Sequence, residues 1–178
     1  MGSVGVWYLF DETLSCFKEL QRQVPEARWH ILNRGDHDYI TKRISESGIS
    51  ADSVLLEVAD HAGVAKAMQN MDAGIFIIKP AYSKIASAPT KLGEFLGCGV
   101  PCLGNTNIGD IADIIVGEKV GVVLSSFDAD SIRVAVEELV CLTKQEGIKA
   151  HCRDVALRYF SLKEGVRSFD RIYRELVV

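Results

Sequence analysis

Lys91 and Glu94 stand three residues apart, behind Ser87, Pro89 and Thr90, so a cation, a carboxylate and a helix start share about two turns of chain. Small hydroxyls cap free backbone N–H groups, and proline is tolerated in a first turn, where its missing N–H is not needed. A helix beginning near Thr90 aims unpaired amides and a partial positive charge at whatever lies before it, which suits a phosphate. Residues at this spacing share one helix flank, and Leu92, Phe95 and Leu96 supply the apolar face that would anchor it. The pair therefore offers a cation for a diphosphate and an acceptor for hydroxyls. The plainer alternative is a solvated surface pair contributing about 0.2–0.5 kcal/mol, and spacing alone leaves both open.

Further polar residues sit at turns that follow apolar runs. Arg34 and Gly35 follow one such run, and 104–110 is a Gly/Asn-rich turn with Asn107 and Gly109 near its centre. Lys79 and Lys84 flank the helix start and add positive charge. Each also has an ordinary reading, as a solvated cation or as turn chemistry.

The elements that must position these residues alternate in length and pattern. Strand-like runs at 4–9, 29–32, 54–58, 74–78, 101–103 and 120–124 are separated by helix-like stretches at 13–24, 38–47, 63–71, from 90 onward and at 110–116. From 128 to 178 the pattern is helical in three pieces, broken near Gly147 and Ser161. Six strand–helix alternations imply an α/β fold: a Rossmann-like, doubly wound, mostly parallel six-stranded sheet with a helical C-terminal tail. Ligands of such sheets bind at the carboxyl ends of the strands, so one crevice could collect the loops at 33–36, 59–61, 79–90 and 104–110.

Composition narrows the function classes. The 178 residues are 48% hydrophobic and 25% charged with 15 glycines, which fits one soluble domain, and no repeat or linker divides it. A net charge of −4 without a basic run argues against nucleic acid and anionic membrane as primary partners. No apolar run is long enough to span a bilayer and no signal sequence opens the chain, so a cytoplasmic location is expected. The cysteines, Cys16, Cys98, Cys102, Cys141 and Cys152, are odd in number and read as reduced structural thiols. The four histidines are scattered without ligand spacing, and no metal site is expected.

The segment Ser83 to Thr90, continuing as Lys91-Leu-Gly-Glu94 and Gly97-Cys-Gly-Val-Pro101, resembles the donor-binding motif of retaining glycosyltransferases of family 4, which have the two-domain GT-B architecture. The family pattern is a Glu, seven residues, a second Glu, then Ala-x-Gly-x-Pro-Val. Glu94 matches the second Glu, whereas the first falls on Ala86, which puts the sugar contacts in question. A subgroup of such enzymes also lacks that first Glu. The resemblance covers nearly the whole chain but only the family's C-terminal half, and implies a domain excised from a longer enzyme, with Met1-Gly-Ser compatible with a vector-derived start.

On that resemblance the ligand is a nucleoside-diphosphate sugar, with no cofactor and no metal required. Lys91 and the amides around Ser87 and Thr90 would meet the diphosphate, Glu94 the ribose, Arg34 and Gly35 the base or phosphate, and Asn107 and Gly109 the donor. The acceptor would lie on an N-terminal domain, which would also carry any membrane contact. One departure is Phe10-Asp-Glu-Thr13, where many relatives place a cation; its acids would repel a phosphate unless the segment turns away. The alternatives are a non-catalytic nucleotide-sugar or interaction domain, a sugar-nucleotide epimerase of the same architecture, and a receiver-like signalling domain, suggested by Asp11, Glu12 and Lys79-Pro80.

Overall fold

A computed structural model describes residues 4–5 and 7–177. Helix α1 spans Phe10–Gln23, β1 Trp29–Leu32, α2 His37–Ser47, β2 Val54–Glu57, α3 His61–Met68 and β3 Gly74–Ile75. These are followed by α4 Thr90–Gly97, β4 Cys102–Asn105, α5 Ile111–Gly117, β5 Gly121–Leu124, α6 Ala129–Thr143, α7 Ile148–Tyr159 and α8 Leu162–Leu176. The alternation expected from the apolar pattern is present, and all strand pairing within the sheets is parallel.

The expected single six-stranded sheet is not what forms. Among the described residues β1 pairs only with β2, and β3-β4-β5 make a separate sheet of three. The expected first strand, 4–9, includes Val6, which lies outside the described residues, and contributes one antiparallel bridge, Tyr8 to Ile78. One local and one tertiary cause act against an extended run. Gly5 takes φ +106°, in the left-handed region that a strand does not use. The helix also begins at Phe10, earlier than expected, because Phe10, Leu14 and Phe17 are drawn onto Ile31, Ile40 and Ile44. A narrow crevice of about 60 Å³ is left between the sheets, lined in part by Tyr8, Trp29, Ile31, Ile75, Phe76 and Lys91.

Helix α1 bridges the two sheets. Its Phe10–Leu14–Phe17 side packs on the β1 half, while Cys16 joins Ile77, Leu103 and Leu124 with Val136 and Leu139 of α6. On the other face of the three-stranded sheet, Leu92, Phe95 and Leu96 of α4 pack with Ile111 and Ile115 of α5 and Cys152 and Val155 of α7. Helices thus cover both faces, as a parallel sheet requires. The approach of α4 is close: a Cβ on Gly74 would stand 2.7 Å from the Phe95 ring. Burial pushes the Cys16 thiol up to about 12 and that of Cys152 up to about 11, so both behave as small hydrophobes. Helix α8 carries an apolar stripe of Leu162, Val166, Phe169, Tyr173 and Leu176 that is exposed throughout.

Past the end of β3 the sheet is continued by a side chain. Asn105, 1% exposed, accepts a hydrogen bond from Ile78 N–H at 2.8 Å through Oδ1. Its Nδ2 donates to Ile78 O at 2.9 Å and to Thr106 O at 3.0 Å. Replacing it by an apolar residue would orphan buried backbone groups. Asn105→Leu is expected to destabilise the chain by about 2–4 kcal/mol in urea denaturation, and a loss below about 0.5 kcal/mol would show that water replaces the amide.

Candidate functional site

A cavity of about 560 Å³ opens where the carboxyl ends of β1 and β2 meet the start of α4. Its walls include Asn33 to Asp36 after β1, Ala59 after β2, His61 and Val64 of α3, and Thr90, Lys91 and Glu94 of α4. The volume suits a nucleotide-sized ligand. Arg34, Gly35, Thr90, Lys91 and Glu94 of the expected set are therefore brought together.

Ser87, Asn107 and Gly109 are not in the cavity wall. Gly109 donates its N–H to Lys84 O at 2.9 Å, so that amide is already engaged within the protein. An ideal Cβ on Gly109, whose φ is +45°, would fall 1.8 Å from Ser87 O. The turn at 104–110 thus fastens the loop before α4. Asn107, at φ +64°, is exposed and bonds Thr106 Oγ1 at 3.4 Å.

The start of α4 also differs in detail from the expected hydroxyl cap. Pro89 occupies the N-cap position with φ −66° and ψ 119°, Thr90 is the first helical residue, and no side chain caps the first turn. Proline lacks a donor that this position would leave unused, and its fixed φ suits the entry. The amides of the first turn face the cavity end of the helix without a side-chain acceptor.

Lys91 and Glu94 do not form the surface pair that their spacing allows. Lys91 is 9% exposed and, among the described residues, has no carboxylate within ion-pair distance. Its Nζ instead lies 3.8 Å from the centre of the Tyr8 ring. A buried cation without a counter-anion is costly unless something else receives its charge. The acids of the Phe10–Thr13 segment are not at the cavity. They lie in the first turn of α1, where Asp11 pairs with Arg43 at 2.8 Å.

Three polar cavity residues lie in loops expected at the crevice but carried no role of their own in the sequence: Asn33, Asp36 and His61. Asn33, 3% exposed, accepts from Gly35 N–H at 2.9 Å and from Asp36 N–H at 2.7 Å through Oδ1, an Asx turn that aims Arg34 and Gly35 outward. The signal was the Asn-x-Gly-Asp order itself. Asp36 accepts from Asn33 Nδ2 and from Val4 N–H, each at 3.1 Å. The Asn33 hydrogen bond, helped by that from Val4, holds the Asp36 carboxyl below the usual carboxylate range. Among the described residues no group of His, Cys, Asp and Glu could hold a metal ion.

No family profile matches the chain, and no curated protein matches it. Solved structures do. The pneumococcal O-GlcNAc transferase GtfA, in complex with UDP and GlcNAc, superposes with a TM-score of 0.70 at 16% identity, over 96% of this chain and 33% of that one. WaaG, a glycosyltransferase involved in lipopolysaccharide biosynthesis, gives 0.66 at 16% identity, over 92% and 43%. Sucrose-phosphate synthase from Thermosynechococcus elongatus gives 0.68 at 15% identity, over 93% and 42%. The chain therefore has the fold of one part of GT-B glycosyltransferases, and spans about a third to two fifths of the length of those structures.

The bonds around Asp36 carry a pH dependence. A carboxyl whose folded value is depressed contributes stability above its unfolded value, and that stability is lost as the pH falls through the folded value. Asp36→Asn is therefore expected to lower stability at pH 7 while flattening the decline below about pH 4, followed by thermal melts from pH 7 to pH 2. A variant with an unaltered acid slope would remove Asp36 from the account.

Proposed function

We propose that this chain is the donor-binding half of a retaining, nucleotide-sugar-dependent glycosyltransferase. The observation that carries the reading is Lys91, a buried lysine without a counter-anion among the described residues, at the wall of a nucleotide-sized cavity and in the first turn of α4. The resemblance of Ser83 to Pro101 to the family 4 donor motif supports it, as does the fold shared with GT-B enzymes, one of which was solved with UDP and GlcNAc.

In this reading the diphosphate sits at the start of α4. Lys91 and the uncapped amides there stabilise the negative charge that grows on the departing diphosphate, which is electrostatic stabilisation of the transition state without a metal. Glu94, one turn further along the helix, accepts the ribose hydroxyls. Arg34 and Gly35, presented by the Asn33 turn, close the other side of the cavity. Asp36, kept charged by its hydrogen bonds, stands ready as a second hydroxyl acceptor. Ala86, in place of the family's first Glu, leaves the donor sugar with fewer contacts from this half. The acceptor belongs to an N-terminal domain of the same parent protein, acting in the cytoplasm.

Two measurements separate these roles. Lys91→Ala is expected to weaken binding of a nucleoside diphosphate by about 1.5–3 kcal/mol in calorimetry, the range for a hydrogen bond to a charged group. Glu94→Gln is expected to weaken the nucleoside diphosphate but leave inorganic pyrophosphate nearly unchanged; equal loss for both ligands would contradict a ribose contact. Failure of UDP, GDP and ADP alike to bind at millimolar concentration would remove the donor-site reading.

A further expectation follows from dividing a reaction between two domains. Bringing donor and acceptor together supplies up to about 7–11 kcal/mol of barrier reduction when orientation is ideal, so half a cleft should bind donor and transfer nothing. Incubating this chain with labelled nucleotide sugars and a panel of acceptors checks this. Robust acceptor glycosylation by these 178 residues alone would overturn the division.

A further inference from the structure

Lys84 in the loop that leads into α4 and Lys91 in the first turn of α4 are received by two consecutive aromatic residues ahead of α1. Lys84 Nζ lies 4.2 Å from the centre of the Trp7 ring, and Lys91 Nζ lies 3.8 Å from that of Tyr8. The rings are fixed to the chain that bears the lysines: Lys79 N–H donates to Trp7 O at 2.8 Å, and Leu9 N–H donates to Ile77 O at 2.9 Å. Tyr8 and Lys91 both line the crevice between the sheets, and Lys91 also lines the large cavity. The Tyr8 hydroxyl makes no hydrogen bond to any described residue, so what Tyr8 offers Lys91 is the ring face.

A ring and a carboxylate hold a lysine with different consequences. A carboxylate would fix the ammonium and cancel its charge, whereas a ring face attracts the cation through its quadrupole and leaves the net charge in place. A long, flexible ammonium stem at a diphosphate site needs that combination of fixed position and undiminished charge. We propose that Tyr8 is the positioning residue for Lys91: its ring holds the ammonium at the cavity wall, ready for a diphosphate, while Trp7 steadies Lys84 in the same way nearer solvent. This rests on the donor-site reading above. It adds the residue that makes a solitary buried lysine usable.

Calorimetry with UDP and with pyrophosphate on the wild type, Tyr8→Phe, Tyr8→Leu, Lys91→Ala and the Tyr8→Leu/Lys91→Ala double variant tests it. Tyr8→Leu is expected to weaken both ligands roughly 3- to 30-fold, and Tyr8→Phe, which keeps the ring, by no more than about twofold. In the Lys91→Ala background the leucine should cost nothing further, because the ring acts through the lysine. Additive losses, or a phenylalanine variant as weak as the leucine variant, would overturn the proposal. A second measurement needs no ligand. The ε-methylene protons of Lys91 should resonate upfield under the ring current in the wild type and in Tyr8→Phe, and at ordinary positions in Tyr8→Leu. Unshifted wild-type signals would overturn the proposal. If the wild type bound neither ligand, the donor-site reading and the positioning role would fall together, while shifted signals would still establish the ring contact itself.

Discussion

The structure hangs on one side-chain amide. Parallel strands leave the sheet along one edge, and the chain beyond each must find partners for backbone groups that no further strand supplies. At the exits of β3 and β4 that need is met by Asn105, which binds both the N–H and the C=O of Ile78 as a strand residue would, and ties Thr106 as well. The loop leading to α4 departs one residue later. Its direction, the entry angle of α4 and hence the reach of Lys91 and Glu94 are all set from that point. An aspartate could accept from Ile78 N–H but could not donate to the carbonyl, and a leucine could do neither.

Charge in the cavity is arranged by burial more than by number. Two cations, Arg34 and Lys91, face two acids, Asp36 and Glu94, so the walls are nearly neutral in sum. Their accessibility differs: Arg34 is exposed and screened by water, whereas Lys91 is largely withdrawn from it. A charge in a partly desolvated place acts on a ligand more strongly than one in bulk water. Asp36, by contrast, is held by two donors, and its hydrogen bonds go largely to keeping the Asn33 turn in shape.

Much of the fold was legible because it rests on local signals. The helix start at Thr90 followed from Pro89 and the apolar spacing of Leu92, Phe95 and Leu96, and the breaks near Gly147 and Ser161 fall where α7 and α8 begin. The first strand was illegible for a local and a tertiary reason together. Its apolar pattern was sound, but Gly5 turned the chain and Phe10 and Phe17 found a better burial against the β1 half. Lys91 and Glu94, singled out by type and spacing, share one wall of the cavity, yet nothing in spacing showed that Lys91 would lie over Tyr8 rather than pair with Glu94. Ser87 and Gly109, named for their small, glycine-rich turns, lie outside the cavity wall and against one another, a contact that exists only in three dimensions. The loop at 33–36 was placed at the crevice, but the Asn33 side-chain turn that shapes it went unread.

That contact between Ser87 and Gly109 constrains how the protein can change. The carbonyl of Ser87 occupies the space where any side chain at 109 would begin, and Gly109 sits at a backbone angle few other residues adopt without strain. No single substitution at 109 is then neutral, and a shortened or lengthened loop before α4 loses its seat unless the 104–110 turn alters with it. The two loops can change only together, whereas exposed cavity positions such as Arg34 and Gly35 carry no such lock and leave room for variation toward another ligand.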